Sequence, residues 1–131
     1  MGYLPDRKQT MGLVAAILLL AACGSDPYSG QSSTVAPTFS AIQANILIPQ
    51  CAVCHSTQNA AGGFSVSSYQ EVMATGGAVT PFQAYVSELY TQTLSGTMPK
   101  RDRDKAPDAT PLSSNQLQAI YNWISYGALN N

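Results

Sequence analysis

Residues 49–58 read PQCAVCHSTQ, which places Cys51, Cys54 and His55 within five positions. On a turn of helix the two thiols stand at i and i+3 and the imidazole at i+4, so all three share one face. Such a cluster can hold a metal, exchange a disulfide or take a covalent prosthetic group. The remainder of the chain decides which.

The first 23 residues, MGYLPDRKQTMGLVAAILLLAAC, follow another plan. Arg7 and Lys8 precede an apolar run from Leu13 to Ala22, which stops at Cys23. A charged start, a short apolar core and small residues describe a secretory signal. The run is shorter than the roughly 20 apolar residues that span a bilayer. Leu20-Ala21-Ala22-Cys23 resembles a bacterial lipoprotein box. That resemblance implies a signal peptide over residues 1–22 and lipidation of Cys23, which becomes the new N-terminus. Several acyl chains anchor stably where one does not. Gly24 then follows the lipidated cysteine. The absence of an acidic residue there favours the outer over the inner membrane of a Gram-negative cell envelope, with the protein facing the periplasm.

Beyond the leader the charge is sparse. Four basic residues remain, Lys100, Arg101, Arg103 and Lys105, against Asp26, Glu71, Glu88, Asp102, Asp104 and Asp108, a formal charge of −2. No basic face suited to nucleic acid is left. With Cys23 lipidated, only Cys51 and Cys54 remain, and a disulfide between them would close too small a loop to stabilise an exported domain. Something else must hold the fold together.

Residues 23–37 are rich in Ser, Gly and Pro without apolar period, the composition of a flexible tether. The domain is expected over residues 38–131. Thr38 is a candidate N-cap, Phe39, Ile42 and Ile46 recur at helical spacing, and Pro49 is expected to close that helix. CAVCHS reads as a short helical turn and TQNAAGGFSV as a loop. Ser68-x-x-Glu71 is a capping-box signal for a helix stopping at Gly76-Gly77. Phe82, Tyr85, Val86, Leu89 and Tyr90 are predicted on one face of a further helix. A long loop, residues 95–111, precedes a last helix capped by Ser113-x-x-Gln116, with Leu117, Ile120, Tyr121 and Ile124 as its stripe and Gly127 near its end. No paired strands are predicted. The fold class is all-α, four to five short helices with long loops, and such loops in a small domain usually wrap something functional.

Zinc needs four ligands, and past the leader the chain offers two thiols and one histidine. A thioredoxin-like dithiol wants a βαβ setting that is not visible here. Covalent haem fits better: Cys-x-x-Cys-His is the c-type attachment signal, and export suits it. Cys51 and Cys54 then bind the porphyrin edge, and His55 is the proximal iron ligand. A methionine is the usual sixth ligand when a second histidine is lacking. Met98, before Pro99, is favoured, and Met73 is the alternative, its plain role being core filling. An open sixth position or Lys100 is the residual case.

From Phe39 to Leu129 the chain resembles a class I, single-haem cytochrome c. The likeness is to small members that end in a WI…GA helix, here Trp123-Ile124-Ser125-Tyr126-Gly127-Ala128. The resemblance implies one covalent haem c held by Cys51, Cys54, His55 and Met98, with an N-terminal helix crossing a C-terminal one. Many relatives carry a proline about ten residues after the histidine, near the carbonyl that accepts the imidazole Nδ1–H. No proline lies between His55 and Pro81 here; a carbonyl within TQNAAGG (residues 57–63) is one candidate substitute, and the sequence leaves open which carbonyl orients the histidine.

Saturated His/Met ligation implies electron transfer between redox protein partners rather than enzymatic turnover of a small molecule. The alternatives are a haem subunit of a larger oxidoreductase or multi-haem assembly, and a haem enzyme or gas sensor with a labile methionine. The KRDRDK run, residues 100–105, reads as a self-neutralising surface loop, and otherwise as a patch steering an acidic partner.

Overall fold

The computed structural model describes residues 34–131, which fall within the compact unit Ser32–Asn131. The predicted leader, Cys23 and the tether up to residue 33 lie outside the described residues.

Helix α1 (residues 39–50) opens where Thr38 Oγ1 accepts the Ala41 N–H at 3.3 Å, as an N-cap should. It is α-helical over Phe39–Ile42, widens to a π-helical turn over Gln43–Leu47, and returns to α at Ile48–Gln50. The helix ends at Gln50, one residue past the expected stop at Pro49. The chain winds on, with Cys51 N–H donating to Leu47 O at 2.9 Å and His55 N–H to Cys51 O at 2.9 Å. Pro49 lies in the first turn of the final α segment, where its missing N–H costs least.

Two features depart from the predicted all-α layout. His55–Ser56 (β1) pairs antiparallel with Asn59–Ala60 (β2), a two-residue ladder too short to leave an alternating pattern in the sequence. The single helix predicted through residues 82–90 is broken in two: a 3₁₀ turn at Ala84–Val86 and helix α3 at Glu88–Leu94, α2 being Tyr69–Ala74. Phe82, Tyr85 and Val86 are 73, 68 and 59 % exposed, whereas Leu89 and Tyr90 are buried. The break is made by Ser87. Its buried hydroxyl accepts the Thr80 N–H at 2.8 Å and donates to Gln83 O at 2.9 Å, so it turns back on the preceding loop.

Helix α4 (Ser114–Ser125) begins with the predicted capping box, Ser113 N–H donating to Gln116 Oε1 at 2.9 Å. Its buried face centres on Ile120, Trp123 and Ile124, while Leu117 and Tyr121 are only half-buried. Trp123 meets Phe39 of α1 at 5.7 Å between ring centroids, and Phe39 meets Tyr69 edge-on at 5.2 Å. Ile42, Ile46, Leu47, Val66 and Val72 belong to this core. The two ends are tied together: Ser40 N–H donates to Asn131 O at 2.9 Å and Phe39 N–H to Asn131 Oδ1 at 3.0 Å. The described residues are thus mostly helical, four α-helices and one small two-stranded ladder, and none of the helices is long and apolar enough to cross a membrane.

Candidate functional site

The turn after α1 delivers Cys51, Cys54 and His55 to the rim of a cleft with two lobes, of about 290 and 260 Å³. Cys51, His55, Ala61, Gly62 and Met98 line both lobes. The first lobe adds Cys54, Val53 and, from the long loop, Pro99, Lys100, Asp102 and Lys105. The second adds Phe64, Ala78 and, from α3, Glu88, Leu89, Gln92 and Thr93. Met73 lines neither lobe and packs, half-buried, against the core. A larger, more open hollow of about 600 Å³ lies beside the cleft, between Pro49–Val53 and the loop at 105–111, and contains none of the thiol, imidazole or thioether groups.

His55 is held from two sides by one residue. Its Nδ1 lies 3.3 Å from Phe64 O, and the Phe64 ring meets the imidazole edge-on at 5.5 Å. A carbonyl only accepts, so Nδ1 carries the proton, and in the neutral ring Nε2 keeps its lone pair. The acceptor is one residue beyond the candidate 57–63 segment. Residues 57–63 are occupied by the turn, β2 and a 3₁₀ turn, in which Gly62 and Gly63 take φ of +66° and +76° that other residues rarely adopt. That left-handed pair swings the chain round so that Phe64, and no earlier carbonyl, returns to the imidazole.

Cys51 and Cys54 are free thiols, both half-buried. Burial pushes the Cys51 thiol up to about 11, and its S–H faces Ile46 O at 3.9 Å. Met98 is placed by its own backbone, its N–H donating to Gln92 O at 3.0 Å at the end of α3. Beyond it the KRDRDK run is ordered by Asp102. That carboxylate accepts the N–H groups of Asp104 (2.9 Å) and Lys105 (3.2 Å), and these bonds, with the Lys105 and Lys100 charges, hold its pKa below the ordinary value. Among the described residues no group of three or more His, Cys, Asp and Glu side chains is arranged to hold a metal ion.

The fold thus gathers two thiols, one oriented imidazole and one thioether, from two distant segments, around a largely apolar cleft. Sequence reasoning missed Phe64 as the acceptor, and Leu89, Gln92 and Thr93 as the wall of the second lobe. The only sequence signal for that wall is the apolar face of α3, which reads equally well as core. Compared with family models, curated proteins and solved structures, the chain matches none.

Proposed function

We propose that this domain is a c-type cytochrome of the class I kind, a carrier of single electrons between protein partners, with one haem bound covalently in the cleft. The observation that carries the reading is the convergence of Cys51, Cys54, His55 and Met98 on one cleft. The residue types present and their spacing in the sequence suit the group. Two thiols three residues apart match attachment along one porphyrin edge, His55 offers Nε2 with its tautomer fixed by Phe64 O, and Val53, Ala61, Ala78 and Leu89 give apolar walls. Met98 supplies a soft thioether from a separate segment, a donor that favours the reduced state. When bound, the haem supplies a one-electron couple. The chain's own part would be to hold that couple rigidly through His55 and Met98 and to limit water, so that neither redox state would need a large rearrangement.

We infer further that Cys23 anchors the mature chain to an envelope membrane and that residues 24–37 act as a tether. Lys100 and Lys105 line the first lobe of the cleft and, with the exposed Arg101 and Arg103, supply the cations that would meet a docking partner.

The test is the absorption spectrum of the oxidised chain expressed with a haem-attachment system. A haem retained through denaturation, with a weak far-red sulfur–iron band that Met98→Ala removes and Met73→Leu leaves, is the expected result. Absence of bound haem overturns the reading, and a far-red band that persists in Met98→Ala overturns the ligand assignment.

A further inference from the structure

Glu71 was expected to close a capping box with Ser68, and only half of that box forms. Ser68 Oγ accepts the Glu71 N–H at 3.2 Å, capping α2. The Glu71 carboxylate, however, collects hydroxyl donors from three places: Thr57 to Oε1 at 2.9 Å, and Ser65 and Ser68 to Oε2 at 3.2 and 3.3 Å. Thr57 is in the turn immediately after β1, which carries His55. Ser65 directly follows Phe64, whose carbonyl orients the imidazole, and is buried at 7 % exposure. One carboxylate therefore clamps the segment that bears the ligand to the segment that bears its acceptor.

Around this clamp the two segments are stitched by Val66 N–H to His55 O at 2.8 Å and Thr57 N–H to Ser67 Oγ at 3.1 Å. Upstream of Phe64 the hold is slighter. Gly62 and Gly63 have no atom within 4 Å of where a Cβ would stand, and Thr75 Oγ1 to Gly63 O, 3.2 Å, is the side-chain tie there. Phe64 itself is held by its ring packing and a long N–H bond to Ala61 O, 3.4 Å, while the shorter ties of the Phe64–Ser65 peptide come from its Ser65 side.

We propose that Glu71 is the positioning residue for His55: by anchoring Thr57 and Ser65 it sets the strength of the Nδ1–H bond to Phe64 O, and through it the ease with which bound haem iron is reduced. The second half of this statement rests on the reading of His55 as the proximal ligand. A histidine that donates a firm hydrogen bond is a more electron-rich ligand and favours the oxidised metal, so loosening the bond favours reduction.

The experiment compares the full-length chain, as purified, with Glu71→Ala, Glu71→Gln and Ser113→Ala, reading the exchange rate of the His55 Nδ1 proton by NMR. Glu71→Ala is expected to accelerate exchange by about threefold or more, the effect of losing one net hydrogen bond. In the haem-bearing chain it also raises the one-electron reduction equilibrium constant, by up to about tenfold. Glu71→Gln, which keeps an acceptor for Thr57 but offers an NH₂ toward Ser65 and Ser68, falls between. It also serves as the test if the alanine variant does not fold. Ser113→Ala weakens the cap of α4 without touching this network and is expected to move neither readout. Unchanged exchange in the Glu71 variants, or an equal change in Ser113→Ala, overturns the proposal. A chain that carries no haem sinks the electron-transfer reading, while the exchange rates still decide the role of Glu71.

Discussion

Cys51 opens the turn that presents His55, and the apolar packing that fixes the turn also protects its thiol proton. Its folded-state pKa of about 11 lies above the ordinary value of 9.0. As pH rises, the unfolded chain therefore loses this proton first, and the haem-free domain loses stability between about pH 9 and 11. Two pKa units correspond to about 3 kcal/mol at most. Urea unfolding of the haem-free chain at pH 8.5 and 11 is expected to show this alkaline loss in the parent and a smaller one in Cys51→Ala; equal losses in the two would refute it. The cluster itself was legible because its spacing is local, although the chain there is a hydrogen-bonded turn leading into β1 and not the helical turn expected. Phe64 was not, since any carbonyl is the same in a sequence, and only the path of the chain chooses one.

Among the elements, the segment from Pro81 to Leu94 shows where periodicity misleads. Phe82, Tyr85, Val86 and Leu89 have helical spacing, yet Phe82 sits at φ +66° and the helix begins only after Ser87. The apolar count cannot register a serine hydroxyl that substitutes for backbone partners. Phe82 instead lays its ring over Gly127, where a Cβ would stand 2.8 Å from Cζ and where φ is +102°. Gly127→Ala is accordingly expected to cost about 1–3 kcal/mol, from steric conflict and a left-handed backbone together. Adding Phe82→Ala relieves the first cause and not the second, so the double mutant should recover part of the loss. Chemical denaturation of the four variants checks this, and strict additivity would count against the ring as the obstacle. The helix starts at Thr38, Ser68 and Ser113 were read correctly, because a cap is a contact between near neighbours.

At the scale of the molecule, the described residues, with two thiols and no disulfide among them, surround a cleft that the apolar core does not fill. If haem occupies it, the group is both core and cross-link. The Cys51→Ala/Cys54→Ala variant is then expected to release its haem to acidified organic solvent, which the parent does not, and to melt lower. Each kcal/mol lost shifts the midpoint by about 4–8 °C in a domain of this size. Haem that stays bound to the double variant after extraction would contradict covalent attachment at these cysteines. The sequence by itself determined the thiol–imidazole turn, the three side-chain caps, the apolar stripe of α1, the Ile120 and Ile124 part of the α4 stripe and the confinement of basic charge past the leader to residues 100–105. All of these are set by short-range spacing or by composition. Tertiary structure puts Met98, the methionine the sequence favoured, on the cleft and packs Met73 on the core. It also decided that Phe64 receives the imidazole proton and that Glu71 reaches past its own helix cap to hold both. Those choices depend on where distant segments meet, and the left-handed glycines at 62 and 63 and the packing of Phe39 on Trp123 bring them there.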